Sequence, residues 1–187
     1  DRPVAVYAHI IRQQRSGASL ILPTNVWGKE YIIPNHRNTG PASGFGEVAV
    51  MAKFPNTVIE ITPKVGSLTG TRVANVPFQI TLPNPGDVYQ LQMADRLDLS
   101  GTLIKSVSSG IEPCKPITVF SATTYTGMDC PNATGGDNLY QQIFPTASWG
   151  KQFLTSPLKR TTSVGDANTD IVKVFVKDAS TVVTKTE

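Results

Sequence analysis

Residues 22–31 read Leu22-Pro23-Thr24-Asn25-Val26-Trp27-Gly28-Lys29-Glu30-Tyr31, and residues 144–153 read Phe144-Pro145-Thr146-Ala147-Ser148-Trp149-Gly150-Lys151-Gln152-Phe153. Pro, Thr, Trp, Gly and Lys stand at identical spacing in both; each stretch opens on a large apolar residue and closes on an aromatic one. The chain has only two tryptophans, Trp27 and Trp149, and both fall in this frame. The frame therefore marks an internal duplication.

Outward from the frame the match continues. Pro116 to Ala122 repeats the β-rich run Pro3 to His9 at an offset of 113, and the frame itself repeats at 122. The second copy thus carries nine extra residues, placed within residues 126–138. A third match sets Val48-Ala49-Val50-Met51-Ala52-Lys53 and Thr57-Val58 against Val172-Lys173-Val174-Phe175-Val176-Lys177 and Thr181-Val182, at an offset of 124. The expected division is a first β repeat over 1–113 and a second over 114–187, the second lacking a counterpart of residues 76–107. A repeat ending there leaves an unpaired edge. The expectation is a portion of a longer chain, or a fold completed by a partner.

Between the matches the chain reads as short strands broken by turns. Residues 4–10, 18–22 and 29–33 are strand-like, Pro23 and Pro34 end the second and third because proline offers no ladder N–H, and 35–46 is a loop. Residues 45–53 and 57–62 read as a hairpin turning at Pro55-Asn56, and 76–82 with 87–93 as another turning at Pro83-Asn84-Pro85-Gly86. The fold class is all-β, antiparallel, internally duplicated and sandwich-like, with a propeller-like arrangement as runner-up. With 15 glycines, 14 prolines and 17% charged residues, disordered and coiled-coil classes are disfavoured.

Net charge is +3 and the basic residues form no run, so a nucleic-acid surface is not expected. No apolar stretch approaches the roughly 20 residues of a membrane helix, so direct membrane insertion is not expected either. Cys114 and Cys130, if bridged, would close a loop of 17 residues, worth about 3 kcal/mol; two buried thiols are the alternative. Asn132-Ala133-Thr134 is a glycosylation sequon. His9 reads as a hydrogen-bonded strand residue and His36 as solvated. No catalytic motif appears, so a hydrolase is the least favoured class and no cofactor is expected. Asp166, Asn168 and Asp170 have the oxygen spacing of a Ca2+ loop, but Ile171 stands where such a loop needs Gly and Lys177 where it needs Glu, leaving only a weak surface cation site.

The frame itself has two readings. Trp27 and Trp149 are stacking platforms for sugars or cations, or each packs under a turn in which Gly28 or Gly150 takes positive φ. Recurrence with Lys29 and Lys151 favours the second, since repeats share architecture. Exposed Tyr125, Tyr140 and Trp149 are then the candidate ligand contacts, and the nine-residue insertion beside Cys130 the expected seat of specific function.

Pro3-Val4-Ala5-Val6-Tyr7-Ala8, Trp27-Gly28-Lys29-Glu30-Tyr31, Asp87-Val88-Tyr89-Gln90-Leu91-Gln92, Cys114-Lys115-Pro116-Ile117-Thr118-Val119-Phe120 and Asp137-Asn138-Leu139-Tyr140-Gln141-Gln142 resemble the N-terminal domain of the IgG Fc-binding, mucus-associated protein family. The last stretch and the Cys114-Lys115-Pro116 start are closer to its bacterial branch, which includes secreted proteins of gliding Bacteroidetes with type IX secretion. The resemblance implies a non-enzymatic extracellular or cell-surface module for adhesion or scaffolding. Its implied partners are other domains of the same larger protein or a surface or secretion complex, with a glycan or mucin-like ligand as a further class. A purely structural domain or secretion cargo is the alternative. Antibody binding is not implied.

Overall fold

The computed structural model describes residues 2–12, 15–39, 44–93, 96–127, 136–156 and 172–185. Among the described residues ten strands carry the fold: β1 (Val6–Arg12), β2 (Arg15–Ile21), β3 (Glu30–Ile32), β4 (Gly46–Ala52), β5 (Thr57–Thr62), β6 (Phe78–Leu82), β7 (Val88–Gln92), β8 (Leu103–Val107), β9 (Ile117–Thr126) and β10 (Asp137–Gln142). They form a β1-β2 hairpin, a sheet in the order β10-β9-β4-β7, and a sheet in the order β3-β8-β5-β6, with antiparallel pairs throughout.

The two four-stranded sheets form a sandwich because each strand alternates. Val48, Val50 and Ala52 of β4, Ile59 and Ile61 of β5, Ile104 of β8 and Ile117 and Val119 of β9 turn inward to one buried cluster. Their neighbours Glu47, Met51 and Glu60 stay partly exposed. This is the period of two expected of half-buried strands.

The two expected hairpins are not hairpins. Residues 45–53 and 57–62 become β4 and β5, but β4 pairs with β7 and β9, whereas β5 pairs with β6 and β8. The chain crosses from one sheet to the other at Pro55-Asn56 and crosses back between β6 and β7 at Pro83 to Gly86. Both strands at each crossing bury an apolar face, and the crossing lets those faces meet in the core. Asn56 and Gly86 take positive φ, 50° and 84°. The two crossings are stacked, with Asn56 N–H donating to Pro83 O at 3.0 Å and Gly86 N–H to Ala52 O at 2.8 Å.

The duplication is visible in the backbone. Each frame follows a strand pair and forms one 3-10 turn, Thr24–Val26 or Thr146–Ser148. Pro23 and Pro145 enter at φ/ψ of −65/152° and −64/153°, and Trp27 and Trp149 leave at −64/143° and −72/137°. Beyond the frames the copies diverge. Lys29 leads into β3, which pairs with β8, whereas residues 152–156 are in no strand, and neither are 172–176 and 181–185, the counterparts of β4 and β5.

The expected glycine role is corrected: neither Gly28 nor Gly150 takes positive φ. Gly28 is required for close approach instead, since a Cβ there would overlap the Pro145 ring, with Cγ only 2.8 Å away. One frame thus lies on the other. Gly28 O accepts from Ile117 N–H at 2.8 Å; Gly28 N–H donates to the Tyr31 hydroxyl at 2.8 Å, which donates to Ile117 O at 2.7 Å. Trp27 is half-buried with Nε1 donating to Leu22 O at 3.3 Å, as the packed reading expects.

Candidate functional site

The edge of β10 is followed by β2, and the two are joined by side chains instead of a backbone ladder. Ser16 N–H donates to Asp137 Oδ1 at 2.7 Å, Gln142 N–H to Ser19 Oγ at 2.9 Å, and Leu22 N–H to Gln142 Oε1 at 2.6 Å. The residue numbers rise together, so the strands run parallel. Gln142 is buried, and its amide also donates to Thr118 Oγ1 at 2.7 Å. A Cβ at Gly17 would stand 2.5 Å from Asn138 Nδ2 and 3.3 Å from Asn138 O, so the Asn138 side chain would have to move.

Along this seam opens a cleft of about 500 Å³, lined among others by Gly17, Asn35, His36, Asn138, Tyr140 and Lys173. Asn35 is fixed against β9: its Nδ2 donates to Ser121 Oγ at 2.8 Å and Ala122 O at 3.0 Å, and its Oδ1 accepts from Thr123 Oγ1 at 3.2 Å. His36 Nε2 is buried and has no hydrogen-bond partner among the described residues. Its residue lines the cleft, but the Nε2 atom itself is closed to solvent.

Two ion pairs tie residues 172–185 to the first copy. Lys173 Nζ bonds Asp98 Oδ2 at 2.7 Å and Asn35 O at 2.6 Å; Lys177 Nζ bonds Glu30 Oε1 at 2.6 Å, which also accepts from Thr146 Oγ1 at 2.9 Å. At Asp98 burial pushes the carboxyl up, but Lys173 and Ser100 together outweigh it and hold it below its ordinary 3.8. At Glu30 the Lys177 bond is the largest effect and, with Thr146, holds the carboxyl below its ordinary 4.5 despite burial. Both values are depressed by folding. The pairs therefore stabilise the fold above the ordinary carboxylate range and lose that contribution as pH falls through the depressed values. In a carboxyl NMR titration Asp98 and Glu30 are expected to titrate below their ordinary values, and Lys177→Met to raise Glu30 while leaving Asp98 unchanged. A Glu30 titration unmoved by that change would contradict the pair.

Of the three candidate contact residues only Tyr140 lines the cleft, its ring stacked on Phe120 at 5.5 Å and 7° and its phenol pushed up by burial. Tyr125 is covered by the Arg15 guanidinium, 4.3 Å from its ring centre. Trp149 is half-buried beside the second 3-10 turn, outside the cleft. Lys29 and Lys151 are exposed. The histidines exchange their expected places: His9 is exposed on β1, and His36 is drawn into the cleft wall. Cys114 is half-buried ahead of β9 and has no disulfide partner among the described residues. Cys130, the sequon, residues 128–135 of the insertion and Asp166, Asn168 and Asp170 lie outside the described residues. Among the described residues no three His, Cys, Asp or Glu side chains gather as metal ligands.

Fold and junction together define a class, an all-β module of the antiparallel sandwich type in which two copies of one motif are knitted together. No helix among the described residues is long and apolar enough to cross a membrane. The chain belongs to the IgGFc binding protein family, whose model matches residues 17–187. No curated protein and no solved structure matches it significantly.

Proposed function

We propose that the chain is a non-enzymatic extracellular module that binds a glycan or mucin-type ligand in the cleft between β2, β10 and residues 34–36. Membership of the IgGFc binding protein family supports a binding role. The observation that carries the site is the convergence of an aromatic side chain, Tyr140, with the polar residues Asn138, Lys173 and His36 on one cleft. An aromatic face with a few polar groups beside it is the usual chemistry of a small concave binding site. A Cys114–Cys130 bridge belongs to the same reading, because an oxidising compartment would close it and pin the insertion; the denatured, unreduced protein would then show no free thiol.

The test is binding to immobilised mucin glycoprotein and to a glycan array, with IgG Fc alongside. Retention on mucin or on a defined glycan is expected, weakened roughly fivefold or more by Tyr140→Ala, as loss of one aromatic contact dictates. No retention on any glycan surface would remove the ligand reading and leave a structural or secretion-cargo domain. That second reading is favoured by one observation, the exposed apolar side chains of residues 172–183.

A further inference from the structure

The sandwich of the first copy is closed by strands of the second. β4 is flanked on one side by β7 and on the other by β9, in the register Val48 to Ser121, Val50 to Val119 and Ala52 to Ile117. The sequence repeats both members of that pair. Residues 172–176 correspond to β4 at an offset of 124, and β1 corresponds to β9 at an offset of 113.

The two counterparts carry the same apolar pattern with the opposite exposure. Val48 and Val50 are 1% and 0% exposed, whereas Val172 and Val174 are 61% and 62% exposed. Ile117 and Val119 are both 0% exposed, whereas Val4 and Val6 are 85% and 50% exposed. Among the described residues, the backbone of 172–176 has no backbone partner, and β1 pairs only with β2. Lys173 and Lys177 tie the segment to the first copy through Asp98 and Glu30. Among the described residues the chain therefore displays a donor strand with one unpaired edge, β1, and an unpaired acceptor segment, 172–176. Within the molecule, strands of this sequence pattern already join each other.

We propose that residues 172–176 accept the β1 strand of a second copy of this chain, antiparallel and head to tail, in the register that β4 and β9 use internally. Val174 then lies opposite Val6 of the next molecule, Val172 opposite its Ala8 and Val176 opposite its Val4. Register is well specified, since a one-residue slip would turn the three valines to the outside. Because donor and acceptor are different surfaces, the contact is heterologous and propagates from molecule to molecule instead of closing as a twofold dimer. This assembly goes beyond ligand binding, and neither β1 nor Val174 lines the cleft.

The test uses sedimentation velocity on the whole chain from about 1 to 100 µM, the range of modest protein interfaces. The weight-average mass is expected to rise by about twofold or more with concentration. Val6→Asp removes only the donor and Val174→Asp only the acceptor; both sites are exposed, so the folds survive, which circular dichroism checks. Each variant alone is expected to stay monomeric, and an equimolar mixture to form a dimer that stops at two. A wild-type chain that stays monomeric, single variants that still associate, or a mixture that stays monomeric would each overturn the proposal. Val4→Asp and Val172→Asp give the same two arms if either first variant fails to fold.

Discussion

Gly28→Ala is expected to destabilise the protein by about 3 kcal/mol, the upper range for forcing a methyl into a packed site. In a domain of this size that lowers the melting temperature by roughly 6–12 °C. The added Cβ meets the Pro145 ring, which cannot swing aside as a long side chain would. Moving Pro145 would disturb Thr146 and, through it, Glu30. Gly150→Ala is the matched control. It occupies the same frame position, but its nearest neighbour is the Phe153 ring at 3.3 Å, and that ring is exposed and free to move. Thermal unfolding should separate the two substitutions clearly. Equal effects would mean that the frame glycines serve local turn geometry, as the sequence alone suggests, and not contact between the copies.

The second large effect is expected at Tyr31. Its ring is fully buried, and its hydroxyl sits between Gly28 N–H and Ile117 O. Burial pushes the phenol up, against the opposing pull of the Gly28 N–H, so the hydroxyl keeps its proton for Ile117. Tyr31→Ala should cost about 3–5 kcal/mol, as for other large buried aromatic truncations. Tyr31→Phe should cost about 1–2 kcal/mol, because it takes the acceptor from the half-buried Gly28 N–H and the donor from Ile117 O. The corresponding residue of the second frame is Phe153, whose ring lies in solvent; Phe153→Ala should be close to neutral. Denaturant unfolding of the three variants checks the order. A Tyr31→Phe protein as stable as the parent would show that the hydroxyl clasp contributes nothing.

What was legible in the sequence was whatever repeats locally. Strand alternation in Thr57–Thr62, proline stops at Pro23 and Pro34, and the Trp-Gly-Lys frame depend on nearby residues, and the fold keeps them. The partner of each strand was not legible. An alternating strand before Pro55-Asn56 looks the same whether the next strand lies beside it or across the core, and only the distant β7, β8 and β9 decide the matter. The role of Gly28 was hidden for the same reason, because Pro145 lies far along the chain. At the cleft, Tyr140 was visible as an aromatic on a strand. His36 was not, since a histidine in an Asn/Gly loop carries no mark of being folded back against β9.

The central claim is that the two copies are interlocked, with β9 and β10 of the second completing the sheet that β4 and β7 of the first begin. The most direct measurement is the folding of residues 1–113 alone beside the whole chain, followed by far-ultraviolet circular dichroism and denaturant unfolding. Without Ile117–Thr126, β4 loses one flanking strand and Gly28 and Tyr31 lose their clasp to Ile117. The fragment is expected to lack a cooperative transition, while the whole chain unfolds in one. A fragment that unfolds cooperatively, with stability near that of the whole chain, would contradict the account and show two independent units placed side by side.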